Sequence, residues 1–221
     1  MGWGEIFKIN SNRKKAFNEI MYNQKCNPIR VISQTGKYTP EKTGIYRVIC
    51  VGAGGDGYIN RGQSTRYYSG GGGGGVSIKD IRLSKGTSYN VTVSTTASFS
   101  NVLTATAGTT AKYASSTFTA SVGGTGSGGT YNYSGTAGTH QAVSSDLGLG
   151  QGGSVGVMLT DLYRQYMLTD VGKNVLSYGG SVLRYGGGAP ASNCRFDDVY
   201  EDICPKGFPA AILIIPLEME E

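Results

Sequence analysis

The sequence predicts a mainly β protein: a jelly-roll-like β-sandwich with long glycine-rich loops and a short N-terminal amphipathic helix. Three observations predict it. β-Branched and aromatic residues recur with period two in short runs bounded by turn residues. Glycine supplies 36 of 221 residues, and each glycine in a helix interior costs about 1 kcal/mol relative to alanine. The first and last strand-like runs stand far apart in the chain, as when a chain returns to close its own sheet.

The elements follow in order. Trp3, Ile6, Phe7 and Ile9 form a short apolar cluster, and Ser11 is placed to cap a helix running to about residue 24. Ala16, Phe17, Ile20 and Met21 share one side of that helix, with Arg13, Lys14 and Lys15 opposite. One short helix does not hold itself together in water. Residues 1–27 are therefore read as an attachment segment, with Trp3, Ile6, Phe7, Ile9, Phe17, Ile20 and Met21 as assembly contacts. The dock is either the chain's own β domain or a larger assembly.

Residues 28–221 are read as one glycine-rich β domain. Strands are predicted over 28–33, 36–40, 45–51, 76–83 and 89–93, with weaker, threonine-rich ones over 102–107 and 112–122. Residues 123–156 hold 12 glycines in 34 positions and are predicted irregular or extended. Leu159, Leu162, Tyr163, Tyr166 and Met167 keep helical spacing, which predicts a short helix over 160–168. The apolar run 210–217 predicts a closing strand buried on both faces.

Several function classes are disfavoured by the same reading. The glycines lack a collagen period and only 6 prolines occur. The longest apolar run is far shorter than a membrane span, so no membrane insertion is predicted, and no export signal is recognised. Cys26, Cys50, Cys194 and Cys204 form no CxxC pair, and His140 is the only histidine. No metal site is therefore predicted, and the thiols are read as reduced, with Cys50 buried. A Cys194–Cys204 bridge is left open. The net charge of +5 comes from the first fifty residues without an arginine stripe, so no nucleic-acid binding is predicted. Asp197-Asp-Val-Tyr-Glu-Asp202 is read as a solvated loop, because it lacks the ligand alternation of a calcium loop.

One motif needs explicit treatment. Gly52-Ala-Gly-Gly-Asp-Gly57 follows a strand and satisfies GxGxxG, with Asp80 beyond it. A dinucleotide site needs a helix starting at those glycines, whose amides hold the pyrophosphate. The sequence that follows ends in six consecutive glycines, Gly70 to Gly75, which no crossover helix tolerates. No cofactor is predicted, and no catalytic residues are either.

The glycines recur beside tyrosines. Ordered packing of extended glycine segments, which lack Cβ atoms and so approach closely, explains this better than flexible linkers do. Tyrosine with serine, glycine and asparagine is also the mixture of adaptable binding loops. Tyr58, Tyr67, Tyr68, Tyr131, Tyr133, Tyr178 and Tyr185 are thus candidate ligand contacts, each with packing on glycine backbone as its alternative role.

Thr43-Gly-Ile-Tyr-Arg-Val-Ile-Cys-Val51 running into Gly52-Ala-Gly-Gly, the run Gly70 to Gly75, and Lys85-Gly-Thr-Ser-Tyr-Asn-Val-Thr-Val93 together resemble the glycine-rich domain of bacteriophage tail and tail-fibre proteins. Trp3-Gly-Glu-Ile-Phe-Lys-Ile-Asn-Ser-Asn12 resembles the opening of tail-associated proteins of phages of Gram-positive bacteria. The resemblance implies a virion component of the tail or baseplate, a homotrimer, with other tail proteins and a bacterial surface carbohydrate or protein as partners. It carries over no catalytic residue. The chain lacks heptads and shaft repeats, which favours a compact tip or accessory subunit over a fibre shaft.

Overall fold

A computed structural model of the chain describes residues 30–60, 66–114, 117–143, 149–155, 185–186, 188–189, 191–196, 199–203 and 206–220. The seven candidate assembly residues between Trp3 and Met21, Tyr178, Cys26, Cys204 and the helices predicted over 11–24 and 160–168 lie outside the described residues.

All regular structure among the described residues is strand. In chain order these are β1 (Arg30–Ile32), β2 (Gly36–Tyr38), β3 (Gly44–Val51), β4 (Tyr58–Asn60), β5 (Arg66–Ser69), β6 (Val76–Leu83), β7 (Tyr89–Val93), β8 (Ala97–Phe99) and β9 (Leu103–Ala105). They continue with β10 (Lys112–Ala114), β11 (Thr117–Thr119), β12 (Gly126–Ser127), β13 (Tyr131–Tyr133), β14 (His140–Val143), β15 (Leu149–Gly150), β16 (Ala191–Phe196), β17 (Val199–Ile203) and β18 (Ala211–Met219).

Two open five-stranded antiparallel sheets, ordered β1-β18-β3-β6-β13 and β12-β9-β8-β7-β2, enclose the main core. Alternation decides which side chains enter it. Tyr46, Val48 and Cys50 of β3 face inward with Leu83, Val91, Phe99, Leu103, Ile212 and Ile214. Their alternates Ile49 and Val51 join Val76, Ile78, Leu213 and Ile215 in a second cluster on the other face of the first sheet. β18 lies between β1 and β3, so its run of apolar residues is buried on both faces, as the sequence predicts. Its register shifts between Pro216 and Glu218, where proline has no amide to give the ladder. On the solvent side, Arg47 holds its cross-strand partner Asp80 through two bonds of 2.8 Å.

The second half of the molecule is built from backbone. Glycines 70–75 donate in a strict three-residue cycle. Gly70 and Gly73 amides donate to Thr139 O (2.9 Å) and Thr136 O (2.8 Å); Gly71 and Gly74 to Ala189 O (2.8 Å) and Gly186 O (2.6 Å); Gly72 and Gly75 to Thr109 O and Thr106 O (both 3.0 Å). Three residues per turn with no internal hydrogen bond is the geometry of the polyproline-II helix. The Cα atoms point in the three intervening directions. A methyl group on Gly70 or Gly73 would strike Gln151 O or Ser154 O, on Gly71 or Gly74 Gly55 O or Gly52 O, and on Gly72 or Gly75 Val122 O or Thr125 backbone.

Residues 70–75 are therefore surrounded by six segments: 52–55, 106–109, 122–125, 135–139, 151–154 and, among the described residues, 186, 188 and 189. The six also bond to one another in that order. Gly108 donates to Ala53 O, Thr109 to Val122 O, Gly135 to Gly124 O, Thr136 to Ser154 O, Gly188 to Gly153 O and Ala189 to Gly55 O, at 2.8–3.0 Å. The ring is closed. The glycine segments thus pack within one chain, where the sequence alone also allowed packing between chains. Gly52 to Gly57 feeds this array and then β4, so no helix starts at the GxGxxG motif.

Two further expectations change. Residues 112–122 are not one strand but the β10–β11 hairpin followed by an array segment. The stretch around 197–202, read as a loop, contributes β17, which pairs with β16.

Candidate functional site

Chain polarity in the array gathers its loops. Segments 52–55, 106–109 and 136–139 run antiparallel to 70–75, as do Gly186 and Ala189, while 122–125 and 151–154 run parallel to it. Four excursions accordingly leave and re-enter at the end remote from the two large sheets: 56–69, 110–121, 140–150 and 190–206. At this tip β14-β5-β4 form one small sheet, β15-β16-β17 a second, and β10-β11 a hairpin.

Four rings from three excursions stand in a row there. Tyr113 lies 5.4 Å from Tyr67, Tyr67 stacks on Phe118 at 4.8 Å with planes 9° apart, and Phe118 lies 5.1 Å from His140. Offset stacking of this kind contributes about 0.5–1.5 kcal/mol per pair beyond burial. The hairpin register sets Tyr113 directly opposite Phe118, which brings both to Tyr67. The Tyr58 hydroxyl accepts the Tyr113 amide at 3.1 Å and ties β4 to the hairpin. Around the half-buried rings, Lys112, Thr117, Thr119, His140 and Gln141 are exposed.

A carboxylate braces the side of the tip. Asp56 accepts the Lys206 ammonium at 2.7 Å and the Gly207 amide at 2.9 Å. Partial burial pushes its pKa up, but these two hydrogen bonds and the lysine charge outweigh it and hold the carboxyl below its ordinary value.

The candidate tyrosines do not share one surface. Tyr58 and Tyr67 belong to the tip, although Tyr67 has a ring on either side. Tyr68 is closed to solvent beneath them, at 0% exposure, because neighbours along a strand face opposite ways. Tyr131 and Tyr133 lie on β13 at the large sheets. Tyr131 is half exposed, while Tyr133 and Tyr185 pack on the second apolar cluster. Sequence reasoning missed Tyr113, Phe118 and His140 as tip residues. The signal for two of them was the near-palindrome Ala111-Lys-Tyr-Ala-Ser-Ser-Thr-Phe-Thr-Ala120, which reads as a hairpin once split at its serines.

It also missed an internal repeat. Thr-Ala-Gly-Thr occurs at 106–109 and again at 136–139, and each copy pairs with a segment carrying two glycines. In both copies the threonine amide donates to its partner's carbonyl while the threonine hydroxyl takes that partner's amide: Thr125 N to Thr106 Oγ1, Val122 N to Thr109 Oγ1, Ser154 N to Thr136 Oγ1 and Gln151 N to Thr139 Oγ1, all 2.8 Å. The hydroxyls satisfy amides at the rim of the array, where Thr106, Thr109, Thr136 and Thr139 are exposed.

A cavity of about 350 Å³ lies at the other end of the molecule, between the β1 and β2 edges, lined among others by Arg30, Lys37, Tyr38, Glu41 and Tyr46. Burial above all, then the neighbouring Tyr46, pushes the Tyr38 hydroxyl up to about 12, against the opposing pull of Arg30.

Residues 32–198 match the family described as a glycine-rich domain, and the chain belongs to that family. No curated protein matches the chain.

Proposed function

We propose that this glycine-rich domain protein is a non-enzymatic virion component of a phage tail or baseplate, and that it binds a bacterial surface carbohydrate or protein through the loops at the tip of its glycine array. In this reading the two large sheets are a jelly-roll-like base, residues 1–27 attach it to other tail proteins, and a homotrimer supplies avidity that one weak site lacks. The observation that carries the reading is the gathering of four excursions at one end of a closed ring whose core has no side chains to rearrange. Loops held by a rigid frame are the usual place for recognition. The exposed polar residues and aromatic edges of the 110–121 hairpin and His140 supply the contact chemistry.

Binding of the purified protein to host cells tests this. Phe118→Ala with Tyr113→Ala is expected to abolish cell binding while the circular dichroism spectrum stays that of the parent. Undiminished binding rejects the tip assignment.

A purely structural subunit is the second reading. It is favoured by Tyr67, whose two neighbouring rings leave it packing the tip together. Antibody against the tip labels intact particles under the first reading and leaves them unlabelled if the subunit is enclosed.

A further inference from the structure

We propose that the cavity between the β1 and β2 edges is a socket for an extended acidic segment of a partner protein, which adds to the open sheet edge and places one apolar side chain inside. The socket lies at the end remote from the tip, so it goes beyond the reading above and is tested apart from it.

The cavity exists because the sandwich is open here. β1 and β2 are the outermost strands of their sheets, and the chain turns from one to the other over residues 33–35. Each therefore presents a row of main-chain groups that no strand of its own sheet takes up. The space between them is about 350 Å³, at the small end of ligand-site volumes. Ile32, Val91 and Pro216 give it an apolar lining. Tyr38 and Tyr46 meet edge to face there, with centroids 6.5 Å apart and planes at 76°. The Tyr46 hydroxyl is already used, donating to Lys42 O at 2.8 Å. The hydroxyl of half-buried Tyr38 has no hydrogen-bond partner among the described residues, so a bound carboxylate or carbonyl would gain one.

Charge selects the occupant. At the rim Arg30 and Glu41 pair with each other at 3.3 Å, which leaves exposed Lys37 without a counter-charge. The neighbouring ends of β3, β6 and β18 meet at Gly44. Beside them stand Lys42, Lys85 and Glu218, while Arg82 holds Glu220 at 2.8 Å. Among the described residues the unpaired set is thus three lysines against one glutamate. Such charges keep an edge from pairing with its like, and the same charges attract and orient an acidic strand. A second copy brings the same lysines to this edge. The chain's own first 27 residues have the wrong sign, with Lys8, Arg13, Lys14, Lys15 and Lys25 against Glu5 and Glu19. In strand addition the main chain supplies affinity and a side-chain pocket supplies specificity, and both are present here.

Isothermal titration of the full chain with acetyl-Glu-Val-Phe-Val-Glu-amide tests the proposal, with the peptide carrying Lys for Glu as its counterpart. The acidic peptide is expected to bind at least about tenfold more tightly than the basic one. Lys37→Glu is expected to weaken it at least about tenfold and Tyr38→Phe about threefold, both with unchanged circular dichroism. Lys112→Glu, the same charge reversal at the tip, is expected to leave it as it was. No saturable binding, equal binding of the two peptides, or indifference to Lys37→Glu overturns the proposal. Binding of 3-phenylpropionate as tight as that of the acidic peptide assigns the cavity to a small carboxylate and overturns strand docking. An oligomer that Lys37→Glu takes apart in sedimentation equilibrium makes the occupant a second copy and overturns a separate partner. Host-cell binding by the Lys37→Glu variant separates the two proposals: if it is undiminished while peptide binding is lost, the tip and the socket act independently.

Discussion

The same stretches of chain pass through two materials. β3 continues into residues 52–55, residues 70–75 into β6, β9 into 106–109, and residues 122–125 into β12. Between the large sheets these stretches are held by side chains: Val48, Phe99, Leu103 and Ile214 are all 0–1% exposed. A few residues further on they are held by backbone amides and carbonyls, with threonine hydroxyls added only at the rim. Identical connectivity with opposite chemistry teaches that the effect of a substitution depends on the zone. The sheets lose stability when a side chain shrinks, and the array when one is added.

The largest expected effect is therefore a single methyl group. Gly73→Ala places a Cβ against Ser154 O, on a segment enclosed by six others, and should cost more than about 4 kcal/mol, which is exceptional for one substitution. Gly36→Ala, in β2 with nothing within 4 Å of the new atom, should be neutral or stabilise by up to about 1 kcal/mol. Urea denaturation compares the two. Equal effects would erase the distinction between the zones.

Truncation is the converse test. Phe99→Ala in the main core should destabilise by about 3–5 kcal/mol. At the rim of the array, Thr136→Val removes the acceptor of the Ser154 amide while keeping the shape. Because that site is open to water, the loss should be only about 0.5–1 kcal/mol. The smallest effect depends on pH. The folded-state carboxyl of Asp56 lies below its ordinary value of 3.8, so its contribution is present above that value and is lost as pH falls through the lowered one. Thermal melts from about pH 5 to about pH 3 should show the parent losing slightly more stability than Asp56→Asn. An Asn variant with the same acid slope would remove Asp56 from the account.

How much of this was legible in the sequence also divides by zone. The β-branched and aromatic runs around Val48, Ile78, Val91 and Leu213 announce strands, because side-chain alternation is what holds them. Cys50 reads as a buried thiol for the same reason, and burial does push its pKa up to about 12 despite a bond to Phe99 backbone. The array leaves no such pattern. Its order lies in which carbonyl each amide finds, and the partners of Gly70 to Gly75 stand 31 to 118 positions away in sequence. What it does leave in the sequence is small: the repeated Thr-Ala-Gly-Thr, and glycine where a Cβ would strike the carbonyls of residues 70–75, as at Gly108, Gly135, Gly138 and Gly188. The tip rings were hidden differently. Tyr113 and Phe118 come opposite each other only through β10 pairing with β11, and His140 joins them only through β14 pairing with β5.

Residue-resolved hydrogen exchange is the most direct test of the array in solution. If six segments enclose residues 70–75, the amides of Gly70 to Gly75 exchange only when the whole domain unfolds, as slowly as those of Val48 and Ile214. Exchange of those six glycines at the rate of an open loop, with the β3 and β18 amides still protected, would contradict it.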